Sequence, residues 1–327
     1  LNGRNVLYLR DQGGNEDFHI YSVDLESGET RDLTPYEQTR GIFVGASYRY
    51  PDEYLLGINN RDPQWHDVWR VNVTNGDREL IEQHDRFGAL IADMELNVRL
   101  ALESTPDGGQ MVFKKADSGE WVEFFKIDKE DALTSAPLGF TADGKHFYMI
   151  DSAGRDKSAL VLVDIETDDR EIIAENPNAD ISEVIFDPQT NEPLAYAINY
   201  LRKEWFPLTD EAGKDLALLG ENLVGDVSVL AQTEDNQVWT VISDAPRNPL
   251  TYFAYDRETG SVDKLFTSRP GLDNKPLNEM HPVAIKARDG MELVSYLTLP
   301  PHVDTDGDGR PGEPVPMVLN VHGGPWA

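Results

Sequence analysis

The chain repeats itself. Residues 20–33 read IYSVDLESGETRDL, two strands of alternating apolar residues around a Ser-Gly turn, and the pattern returns at 68–80, 160–172 and 252–265, with a looser copy, FFKID, at 124–128. The Asp or Asn that closes the first strand of each copy is Asp24, Asn72, Asp128, Asp164 and Asp256, and these lie 48, 56, 36 and 92 residues apart. The last gap is twice 46, which leaves room for one degenerate unit, around Leu194–Asp210. Six units of about 45 residues, each holding several short strands, match a β-propeller with one four-stranded blade per unit. A sandwich of similar strands gives no such period. The fold class is therefore mainly β.

Earlier blade strands are read at Asn5–Arg10, Tyr54–Asn59, Gln110–Lys114, His146–Ile150 and Gln237–Ile242. Hairpin turns at Asp107-Gly108-Gly109 and Asp143-Gly144-Lys145 precede two of them. Asp210–Asn222, rich in Leu and Ala, is predicted to be a short helix inserted on one rim. Ser268–Met280, with Pro270, Gly271 and Pro276, reads as a linker, after which the pattern changes. His281–Ala287 and Glu292–Leu299 are predicted strands around an Asp289-Gly290 turn. Met317–Val321 is a third, running into His322-Gly323-Gly324-Pro325. The expected organisation is a propeller over 1–267, a linker over 268–280 and the opening strands of a second domain over 281–327.

Composition narrows the partners. With 29 basic and 59 acidic residues the formal charge is −30, which repels nucleic acid and anionic lipid, so neither is expected as a partner. No apolar run approaches the ~18 residues of a membrane span. There is no cysteine, which excludes disulfides, thiolate catalysis and cysteine zinc sites and leaves the compartment open. The acidity fits a solubility role or the steering of cationic peptides.

Four stretches give the chain a family resemblance: LYLRDQGGNEDFHIYSVDLESGETRDLTP, NNRDPQWHDVWRVNV, ARDGMELVSYLTLPP and MVLNVHGGPWA. Together they resemble the prolyl oligopeptidase family of serine peptidases, most closely its acylaminoacyl-peptidase and dipeptidyl-peptidase-like bacterial branch. The resemblance implies a seven-bladed propeller capping an α/β-hydrolase domain, so that six blades here point to one lying before Leu1. It also implies short peptides as substrates, a hydrolase domain continuing beyond Ala327 as the propeller's partner, and a periplasmic or secreted location in preference to a cytoplasmic one. Oligomers are compatible with it. The matching position for an oxyanion donor is Gly324, with Gly323 beside it, while His322 and Trp326 shape the loop or line the cleft. The family's G-x-S-x-G nucleophile elbow is not found around any serine here, and all seven histidines precede the place of a triad histidine. The expectation is thus a fragment without its Ser-Asp-His triad and without turnover of its own. A propeller used purely as a binding scaffold, and an esterase sharing the oxyanion loop, are the alternatives.

Three further groups are candidates. Asp304, Asp306 and Asp308 alternate as in a calcium loop, but its twelfth position is Val315 where a Glu is needed, so a polar hairpin connection is the competing account and any calcium binding is expected to be weak. No other cofactor is expected. Arg202, with Lys203 and Glu204, sits near the presumed rim, where a peptide terminus could bind. In Trp65-His66-Asp67 the two-residue period sends His66 to the opposite face from its neighbours, as blade packing requires.

Overall fold

The computed structural model describes residues 1–321 and contains six blade sheets. The first has three strands, β1 (Asn5–Arg10), β2 (His19–Asp24) and β3 (Thr30–Asp32). The second comprises β4 (Gly41–Ala46), β5 (Glu53–Asp62), β6 (Trp65–Asn72) and β7 (Arg78–Glu82). The third comprises β8 (Ala89–Ala92), β9 (Val98–Ser104), β10 (Gln110–Lys115) and β11 (Trp121–Ile127). The fourth comprises β12 (Ala136–Phe140), β13 (His146–Asp151), β14 (Ala159–Asp164) and β15 (Arg170–Ala174). The fifth has β16 (Ile181–Phe186), β17 (Pro193–Tyr200) and β18 (Arg202–Pro207), followed by the helix α1 (Asp210–Asn222). The sixth comprises β19 (Asp226–Gln232), β20 (Val238–Ala245), β21 (Asn248–Asp256) and β22 (Val262–Thr267). Every pairing is antiparallel between sequence neighbours.

Blade-on-blade packing explains why the middle strands are apolar on both faces. In β14 and β13, Val161, Val163, Phe147 and Met149 pack with Leu100 and Val112 of the third blade. Their alternates, Leu160 and Tyr148, pack with Ile181, Tyr196 and Ile198 of the fifth. Each such side chain, taken fully out of water, contributes about 1.5–3 kcal/mol. Blades two and six also meet, through a hydrogen bond from the Tyr48 hydroxyl to the Gln232 carbonyl oxygen (2.6 Å).

The repeated Asp or Asn has a local cause. Oδ1 of Asp24, Asn72 and Asp164 accepts backbone N–H bonds from the residues two and three further on, closing the turn between the last two strands of each blade. The N–H of Ser27, with Arg4, holds the Asp24 carboxyl down to about 2. Asp128 does not belong to this set. It follows β11, the fourth strand of its blade, and the equivalent third strand is β10, which ends at Lys115. The uneven gaps on either side of Asp128 in the sequence come from that one-strand slip. All three hairpin strands there alternate in the same way, and a two-residue period cannot number them.

The helix forms over the predicted residues, but not as a rim insertion. It follows β18 where other blades have a fourth strand, and it packs on β17 and β18. Ala212, Leu219 and Leu223 enter one core with Ile185 and Ala195 of blade five and with Val227, Trp239 and Tyr255 of blade six. Thr209 caps it, accepting from the Ala212 N–H, and Asp210 and Glu211 lie favourably in its first turn.

After a 3-10 turn at Pro270–Leu272 comes a separate hairpin, β23 (Met280–Lys286) with β24 (Glu292–Thr298). The third predicted strand, Met317–Val321, is not one in the structure, and Val318 is 91% exposed. A strand needs a neighbour for its backbone groups, and among the described residues none pairs with it. His322, Gly323, Gly324, Pro325 and Trp326 lie outside the described residues.

Candidate functional site

An antiparallel meander puts every second-to-third-strand turn, and every first-strand start, at one end of the propeller. The Asp/Asn turns lie at the other. At the first of these ends, blades five and six meet the β23–β24 hairpin. Arg202 opens β18 directly after Leu201, which holds a left-handed φ of 60°. Its Nη2 donates to the Met280 carbonyl oxygen at 2.6 Å. The Tyr296 hydroxyl donates to the Leu201 carbonyl oxygen at 3.0 Å, and the Tyr200 hydroxyl donates to Glu292. These bonds dock the hairpin on the rim.

Arg202 also lines a cavity of ≈ 300 Å³ with Asp226, Arg247 and Glu279. Its floor is Gly225, at φ +90°, where a Cβ would stand 2.2 Å from the Asp244 carbonyl oxygen. Only glycine lets α1 enter β19 so close to the end of β20. Burial raises the Asp226 carboxyl above its ordinary range, against the pull of Arg202. Arg247 reaches Glu279 at 3.3 Å. Guanidinium and carboxylate groups of both signs around one small cavity can hold a group that itself carries charge, as a peptide end does.

Of the residues singled out in the sequence, Arg202 is therefore at a cavity, whereas Asp226, Arg247 and Glu279 were missed. Their signal was positional: Asp226 opens β19 and Arg247 lies in the β20–β21 turn, at the same end as the turn before Arg202, and Glu279 directly precedes β23. Lys203 instead pairs with Glu183 and bonds the Ser228 hydroxyl. Trp65, His66 and Asp67 are blade packing. Asp67 is buried and held by the Arg61 guanidinium at 2.8 and 2.9 Å. A second cavity, ≈ 490 Å³, lies on the propeller axis, lined by Val44, Ile91, Leu138, Phe186 and Leu230 from the first strands of five blades or residues flanking them. Among the described residues no serine hydroxyl bonds a histidine ring, so no nucleophile–base pair is present there.

The six blade sheets define the class, a β-propeller, a fold that solved prolyl oligopeptidases also carry. Over 323 residues the chain is 44% identical to dipeptidyl aminopeptidase BIII of Pseudoxanthomonas mexicana, across 98% of this chain and 47% of that protein. Dipeptidyl peptidase family member 6 of Caenorhabditis elegans is 26% identical over 353 residues, covering 98% of this chain and 48% of that protein. The chain thus spans about half the length of these relatives. Prolyl oligopeptidase B of Galerina marginata superposes with a TM-score of 0.57 at 11% identity, over 90% of this chain and 44% of that one, and supports the fold alone. No family model matches the chain.

Proposed function

We propose that the chain is the access-controlling propeller, with the opening strands of the hydrolase domain, of a serine peptidase that removes small units from short peptides. The observation that carries this is the 44% identity to a dipeptidyl aminopeptidase over 98% of the chain. In this reading a serine attacks the scissile carbonyl, a histidine oriented by an aspartate takes its proton, and the Gly324 N–H, beside Gly323, helps hold the oxyanion. No serine of these 327 residues stands in a G-x-S-x-G elbow, and in this reading residues 1–327 by themselves turn over nothing. The cavity beside Arg202 receives a charged end of the substrate. A periplasmic or secreted setting suits an enzyme fed on peptide fragments.

The test uses the protein with its complete natural sequence. Dipeptidyl chromogenic amides are expected to be cleaved, residues 1–327 alone to be inactive, and Gly324→Val to lower kcat by about 10²–10³ with KM changed little. Cleavage of esters only would favour the esterase alternative. No hydrolysis of either by a folded protein would favour the binding scaffold.

A further inference from the structure

The loop from Asp304 to Gly309 takes no part in the propeller or in the docking of the hairpin. Its sequence, Asp-Thr-Asp-Gly-Asp-Gly, sets carboxylates at alternate positions with glycine at the sixth, as in the first half of a twelve-residue calcium loop. In the fold one carboxylate oxygen from each of Asp304, Asp306 and Asp308 lies within 4.8 Å of the others. Calcium binds oxygens at 2.3–2.6 Å, so ligands on opposite sides of it stand about 4.6–5.2 Å apart, and these oxygens fit around one ion.

Proximity of acids alone would be a solvated face. Asp304 makes the difference. Its side chain is only 6% exposed. Oδ2 accepts from the Gly309 N–H at 3.3 Å and faces His281 Nε2 at 3.1 Å. Oδ1 is buried and, among the described residues, has no hydrogen-bond partner. A carboxylate oxygen withdrawn from water with nothing to bond costs more than a folded chain ordinarily tolerates, unless a positive charge stands against it. Among the described residues no Lys or Arg pairs with any of the three aspartates, and the one ring nitrogen in contact is His281 Nε2. The loop closes onto His281 because residue 309 is glycine at φ +78°, where a Cβ would lie 2.9 Å from His281 Cγ. Beside the loop is a cavity of ≈ 330 Å³, lined by Asp304, Thr305 and Asp306, with room for water to complete a coordination shell.

We propose that Asp304, Asp306 and Asp308 bind a calcium ion, with backbone carbonyl oxygen and water supplying the remaining ligands. Three hard carboxylates without nitrogen or sulfur donors select such a cation over transition metals, and a loop this open suits calcium better than the rigid octahedron of magnesium. Because Val315 stands where a bidentate Glu would be, the affinity falls in the weak range, Kd on the order of 10⁻⁴–10⁻³ M. The ion ties the connection after β24 to His281 on β23, so it braces the hairpin that meets Arg202. This inference is independent of the peptidase reading.

Calcium is titrated calorimetrically into chelator-treated protein of complete natural sequence, in about 0.15 M KCl to screen the general acidity. Wild type is expected to bind one ion in that range and to melt at higher temperature with calcium. The double variant Asp306→Asn/Asp308→Asn, at two exposed positions, is expected to keep its calcium-free melting temperature while affinity falls by at least about tenfold. No saturable binding up to about 10 mM, binding undiminished in the folded double variant, or tighter binding of magnesium than of calcium would each overturn the proposal.

Discussion

His66 is a half-buried imidazole in β6 whose Nε2 is itself buried and, among the described residues, meets no partner. Burial, then the nearby positive charge of Arg40, lowers its pKa from the ordinary value near 6.5. Between the depressed folded-state pKa and the ordinary one, such a group is neutral in the fold and takes up a proton on unfolding. The stability it contributes is present above about pH 6.5 and is lost as pH falls through the folded-state pKa. Wild type should lose melting temperature between about pH 7 and 5, and His66→Leu should lose less over the same window. Equal slopes would remove His66 as a cause. At this scale the sequence was half legible. Alternation gave the faces of Trp65, His66 and Asp67, but not the Arg61 fork on Asp67, because Arg61 lies inside the irregularity between Ile58 and Asp62 that breaks the count in the β5–β6 pairing.

The element that departs most from the repeat is α1. Its leucines announced a helix with the right ends, yet nothing in the segment said that it would stand where a strand is due. The cause is a polar contact with residues forty positions on. Asp215 accepts from the Tyr255 hydroxyl at 2.7 Å and from Arg257 Nε and Nη2 at 2.9 and 2.7 Å, with side-chain exposures of 9% for Asp215 and 16% for Arg257. Burial, then the bond to Asp215, raises the Tyr255 phenol well above its usual range. Removing one member of such a pair leaves the other buried without its counter-charge. Asp215→Ala should therefore cost about 3–5 kcal/mol in urea unfolding, and replacing both Asp215 and Arg257 by apolar residues should restore much of it. A loss under about 1 kcal/mol would mean that α1 is held by its leucines alone. The slipped register of blade three has the same root. Strands were legible from alternation, while their rank in a blade depends on which neighbours they pair with.

At the scale of the molecule, the period near 45 residues was enough to give the architecture, because each unit consists of several short strands, and all-β units of that length stack as propeller blades. The rim cavity was not legible, since its four charged side chains come from two neighbouring blades and the segment before β23, which only the fold brings together. The hairpin docked beside that cavity keeps exposed apolar side chains, among them Ile285 at 49% and Leu293 at 45%. A ring of six sheets with an axial cavity of ≈ 490 Å³ is narrow compared with a folded domain. If it guards an active site, length and compactness of the substrate must decide the rate. The decisive measurement is kcat/KM of the protein with its complete natural sequence on one amino-terminal sequence presented in three ways: as a short peptide, as a chain of increasing length, and as the terminus of a stably folded protein. The account predicts rapid cleavage of the short peptide, a decline with length and background rates on the folded carrier. Equal kcat/KM on all three would contradict it.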